Sequence, residues 1–93
     1  MSNTSLRLSD CTMRTIQGLH QELVRRLAGT GPVSLDRSDV RRPNTVMLQL
    51  LAAFARDLRA QSRSIEWVGE SSAFDRAAGA LGLSASLGLP ALD

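Results

Sequence analysis

Short apolar segments alternate with longer amphipathic stretches three times along this chain, and that alternation restricts the fold more than any single residue does. Leu6-Arg7-Leu8 alternates apolar and polar side chains and reads as a short edge strand. From Thr15, a good N-cap, Ile16, Leu19, Leu23, Val24 and Leu27 keep one apolar stripe of a helix to about Ala28, and Gly29 stops it. Pro32-Val33-Ser34-Leu35-Asp36 is the next strand. A charged loop from Asp36 leads to Asn44, which caps a helix to about Gln61 with Met47, Leu50, Leu51, Phe54 and Leu58 on its inner face. Ser64 to Val68 is a third strand, bounded by Gly69. Ser72-Ala73-Phe74-Asp75 has the spacing of a capping box, opens a helix carrying Phe74, Ala77, Ala78 and Leu81 inward, and Gly82 ends it.

Strands separated by helix-length segments imply an α/β domain with a mostly parallel sheet and right-handed crossovers. With Cys11-Thr12-Met13 as a further extended piece and a last strand or turn within Leu83–Leu89, the expectation is four to five short strands with three to four helices. One domain over residues 1–93 suits a chain of this length. In such sheets, ligands and partners meet the loops at the C-terminal ends of the strands. The Asp36 to Thr45 loop lies at such an end.

Composition excludes several classes. At 43% hydrophobic content the chain is globular. No apolar run reaches membrane-spanning length, and Met1-Ser2-Asn3-Thr4-Ser5 lacks the features of a signal peptide, so a cytoplasmic protein is expected, touching membranes only through a partner. All 11 basic residues are arginine, but the net charge is only +2, and Phe54, Trp67 and Phe74 sit in apolar contexts. That argues against nucleic-acid binding, which wants a dense basic patch with stacking aromatics.

Catalytic and metal chemistry find little support. Cys11 is the only cysteine and His20 the only histidine, so a thiolate or imidazole metal site has no second ligand. Asp36 and Asp39 bracket the loop but are too few for Mg²⁺ and read as turn formers. Ser34, His20 and Asp36 would supply a hydrolase triad in name only, because no nucleophile elbow accompanies them. No cofactor is expected. Arg56, Arg59 and Arg63 form a solvated face of the second helix.

Thr45 is the residue with the clearest chemical reading. It opens a helix, where free N–H groups and the helix dipole favour a phosphoryl group or a carboxylate, and Arg41 and Arg42 stand near enough in sequence to pair with one. Val46, Met47 and Leu50 add more apolar surface than a small sheet covers, which suggests a partner interface. Arg41, Arg42, Asn44, Val46, Met47 and Leu50 are therefore the candidate interface, with Thr45 as docking residue or phospho-acceptor.

The chain also resembles the STAS domain family (sulfate transporter and anti-sigma-factor antagonist). The resemblance is carried by Thr12-Met13-Arg14-Thr15-Ile16, by Val33-Ser34-Leu35-Asp36 followed by Asn44-Thr45, by Leu48-Gln49-Leu50-Leu51, by Glu66-Trp67-Val68-Gly69, and by Ala80-Leu81-Gly82-Leu83 with Leu87-Gly88-Leu89. It implies a non-catalytic bacterial module working through protein partners. Among anti-sigma-factor antagonists a kinase phosphorylates the hydroxyl matching Thr45 and so switches partners. A similar short member, the STAS subunit of the Mla phospholipid-transport system, regulates an ABC ATPase through the same region. Asn44 stands where the family often has aspartate, and Met47 where it often has a small residue. Both departures favour docking to the ABC ATPase over a phospho-switch with an anti-sigma factor or kinase. A nucleotide or lipid bound at the start of the second helix is the alternative from another class.

Overall fold

The computed structural model describes residues 5–12 and 14–89. Its elements are β1 (Leu6–Ser9), α1 (Ile16–Leu27), β2 (Val33–Asp39), α2 (Thr45–Ala60), β3 (Ile65–Val68), α3 (Ser72–Ala80) and α4 (Ser84–Leu87). The strands form one parallel sheet in the order β1-β2-β3. Leu6 pairs with Leu35, and Leu35 with Trp67. Parallel neighbours need a long crossover, and α1 and α2 supply it. The expected α/β class with a parallel sheet is therefore the observed one.

The sheet is smaller than the sequence suggested: three strands among the described residues, against four to five expected. Cys11 and Thr12 do not extend. The amides of Thr15 and Ile16 both bond the Thr12 carbonyl at 3.1 and 3.0 Å, so the chain is already turning into α1; Met13, like Met1–Thr4 of the N-terminal reading, lies outside the described residues. The tail forms α4 rather than a strand. It closes at Gly88 in the left-handed region, φ 69°, and Trp67 donates its indole N–H to the Leu87 carbonyl at 2.7 Å. β2 runs to Asp39 instead of ending at Asp36, so the expected ten-residue loop shrinks to its second half.

Caps explain where the helices start. Asn44 caps α2 as expected, its Oδ1 accepting from the Met47 amide at 2.7 Å. Thr15 holds the N-cap position of α1 without capping through its side chain; its Oγ1 accepts from the Thr12 amide instead. The capping box expected from Ser72 and Asp75 does not form. Ser71 is the cap, accepting from the Phe74 amide at 3.1 Å, and Asp75 turns inward.

The core gathers Leu8, Leu23, Val33, Leu35, Met47, Leu48, Leu51, Leu58, Phe74 and Leu87, with Phe54 beside them. Full burial of each such side chain contributes roughly 1.5–3 kcal/mol. Two arginines expected on a solvated face are tethers. Arg63 donates to the carbonyls of Leu27 (2.7 Å) and Arg26 (3.0 Å) at the end of α1 and of Gly31 (2.7 Å) in the turn beyond it. Arg59 reaches the Ser86 carbonyl at 2.8 Å and holds α4.

Candidate functional site

Parallel strands place the segments that follow them at one end of the sheet, and there two of them are tied together. The Asp10 carboxylate, just past β1, accepts from the backbone amides of both Arg41 and Arg42 at 2.8 and 2.7 Å. Asn44 does double duty: besides capping α2 it donates through Nδ2 to the Cys11 carbonyl at 2.8 Å. The segment before α2 is thus fixed to the segment before α1 from both of its ends.

A third tether comes from α3. Ser71 donates its hydroxyl to the Val40 carbonyl at 2.6 Å while capping α3. One residue pair deepens this tie. Arg37, expected in a solvated loop, is only 4% exposed. Its Nε and Nη2 donate to the two Asp75 oxygens at 2.9 and 3.3 Å, a bidentate pair. Its guanidinium also lies 5.7 Å from the Trp67 ring centroid, within cation–π range. Trp67 in turn packs on Phe74, centroids 5.3 Å apart. Nothing in the sequence marked this arrangement; a charged residue one step past a strand looks like loop until its partner, 38 residues on, is known.

On this scaffold the candidate residues separate. Thr45 is exposed at the first position of α2. Arg41 and Arg42 are exposed, and among the described residues neither guanidinium is in an ion pair. Val46 is 47% exposed and Leu50 half-buried. They lie four residues apart on one helical stripe. That stripe continues into a groove of about 90 Å³ between α1 and α2, lined by Val24, Leu50, Ala53 and Phe54, with His20 and Asp57 among its polar residues. Val24 is 53% exposed. Met47 does not belong to this surface. Its side chain is fully buried, because the third position of α2 points at the core while Thr45 and Val46 point away. The candidate interface therefore loses Met47 and keeps Arg41, Arg42, Asn44, Thr45, Val46 and Leu50.

The remaining titratable groups are engaged locally. Asp36 accepts from the Ser38 hydroxyl and amide at 2.6 and 2.9 Å, and these bonds, the hydroxyl first, hold its pKa below the usual aspartate value. Asp39 pairs with Arg7 at 3.5 Å. Burial pushes the Cys11 thiol up, the Thr15 hydrogen bond opposes this, and the Asp10 charge adds to it. Ser34 bonds the Ser5 hydroxyl, while His20 lines the helix groove, so the nominal triad of Ser34, His20 and Asp36 is not assembled. Among the described residues no group of three or more His, Cys, Asp or Glu side chains is placed to hold a metal. Nor is any described helix long and apolar enough to cross a membrane.

The protein-family comparison agrees with this architecture. The family model described as "Mlab, STAS domain" matches residues 3–90. No curated protein and no solved structure matches the chain. A match that takes in every strand and helix of the fold, the tethered segment before α2 included, establishes that the chain belongs to the STAS-domain family.

Proposed function

We propose that this chain, as one domain over residues 1–93, is a non-catalytic regulatory subunit that docks on the cytoplasmic ATPase of a phospholipid-transport ABC system. STAS domains are generally non-catalytic modules that interact with other proteins. The observation that carries the reading further is the surface at the start of α2. An exposed hydroxyl, two guanidiniums without an ion pair among the described residues and a strip of apolar side chains adjoin on a segment held by three separate tethers. A pre-fixed surface loses little entropy on binding. Val46 and Leu50 supply the apolar contact, Arg41 and Arg42 select an acidic rim on the partner, and Thr45 sits between them.

The experiment is recovery of the tagged chain at native level from its host, with the bound proteins identified by mass spectrometry. An ABC ATPase with its permease is the expected result. A second reading is favoured by the exposure of Thr45 beside Arg41 and Arg42. In it, a kinase phosphorylates Thr45, the arginines and the helix start accept the phosphoryl group, and the chain exchanges anti-sigma-factor-type partners. Recovery of a kinase or anti-sigma factor, with phosphate on Thr45, would establish that alternative. A nucleotide or lipid at the same helix start is retired if neither shifts the melting midpoint at millimolar concentration.

A further inference from the structure

Few polar side chains are buried in this fold, and most of them meet at one place. Among the described residues the buried polar or charged ones are Ser34, Arg37, Ser71 and Asp75. The last three close a ring with Val40. The Arg37 guanidinium donates to the Asp75 carboxylate at 2.9 and 3.3 Å. The Asp75 amide donates to the Ser71 carbonyl at 3.0 Å, across the first turn of α3. The Ser71 hydroxyl donates to the Val40 carbonyl at 2.6 Å. The Val40 amide returns to the Arg37 carbonyl at 3.1 Å. Val40 is itself buried, and the two residues that follow it are Arg41 and Arg42.

Such a ring is not needed to fill the core. A buried ion pair is often no more stabilising than apolar residues of the same volume, because desolvation offsets the attraction. Apolar neighbours are at hand: Phe74, between Ser71 and Asp75 in sequence, is fully buried, and Trp67 packs on it. What the ring supplies is direction. A guanidinium forked onto a carboxylate fixes angle as well as distance, whereas a repacked apolar core loses its unique geometry before it loses stability. The ring sets the course of the chain as it leaves β2, and the residues it sends out are Arg41 and Arg42. Asp10 then holds their amides from the β1 side.

We propose that Arg37, Ser71 and Asp75 are positioning residues: through the buried ring they set where the Arg41 and Arg42 guanidiniums meet a partner's acidic surface. The partner in this statement rests on the docking reading above; the ordering of the segment does not.

The purified chain tests this in two ways, with circular dichroism and urea denaturation to establish that each variant is folded. Arg37→Met with Asp75→Leu fills the space with apolar atoms and removes the fork. Ser71→Ala removes the hydroxyl, and Ser71→Thr keeps it. In the free chain, hydrogen exchange at the Arg41 and Arg42 amides should be about tenfold faster or more in the first two variants, and close to wild type in Ser71→Thr. Titrated with the ATPase of the host's phospholipid-transport ABC system, the same two variants should bind about tenfold or more weakly. Their binding should also depend less on salt, because the guanidiniums no longer meet their acids together. A merely structural pair would leave both readouts unmoved in a folded variant. Wild-type exchange or wild-type affinity in the folded Arg37→Met/Asp75→Leu chain overturns the proposal. So does a Ser71→Thr chain as impaired as Ser71→Ala. If the wild type binds no ATPase, the docking reading fails by itself, and the exchange rates still decide the positioning.

Discussion

Adjacent residues at the start of α2 have opposite fates, and this decides which substitutions report on function. Met47 is fully buried, so Met47→Asp places an unpaired carboxylate in the core. A loss of more than about 4 kcal/mol is expected, enough to unfold a domain of this size. Val46→Asp, at a position 47% exposed, should leave the melt within about 0.5 kcal/mol of wild type. Chemical denaturation of the pair checks both. Asp36 gives a prediction in pH. Its carboxylate is stabilised by Ser38, so its folded pKa is depressed. The stability this contributes is present above the unfolded value and is lost as pH falls through the folded one. Ser38→Ala removes the hydroxyl donor, which is the larger cause. The variant should be less stable than wild type at neutral pH, and the gap should close below the folded pKa of Asp36. Thermal melts across the acidic range would show the convergence, and a carboxyl titration by NMR would show the Asp36 value moving up.

At the scale of elements, the tethers are the parts that hold the site. Arg37 and Asp75 join the end of β2 to α3 in a nearly dry setting. Removing one partner leaves a buried charge alone, so Arg37→Met should cost about 3–5 kcal/mol. Arg37→Met with Asp75→Leu should recover most of that, because the pair's attraction only offsets its desolvation. A double-mutant cycle by urea denaturation measures the difference. Asn44→Ala removes the cap of α2 and the bond to the Cys11 carbonyl together. It should cost about 1–2 kcal/mol. It should also speed amide exchange at Met47, whose N–H loses its acceptor.

Across the whole molecule, the α/β alternation was legible because its signals are local. Apolar stripes, Asn44 as a cap and Gly82 as a stop each need only neighbours in sequence. The parts that escaped the sequence are those decided across long separations. Arg37 looked like loop because Asp75, which neutralises it, lies on another element. Asp75 in turn looked like half of a capping box with Ser72. Arg63 looked solvated because the carbonyls it holds belong to the end of α1. The tail became α4 because Trp67 and the core could bind Leu87, which a count of apolar residues does not reveal. For the site, the sequence placed Thr45, Val46 and the two arginines at the start of α2. It placed Met47 both on the inner face and in the interface, and only the packing, which buries Met47 fully, decides between the two.

Docking through the surface at the start of α2 is tested most directly by a binding titration between the purified chain and the ATPase of its host's phospholipid-transport ABC system. Wild type should bind in a salt-sensitive way. Val46→Asp and Arg41→Glu/Arg42→Glu should stay folded yet each bind at least about tenfold more weakly. Wild-type binding that these folded variants leave unchanged, or no binding by the wild type at all, would contradict it.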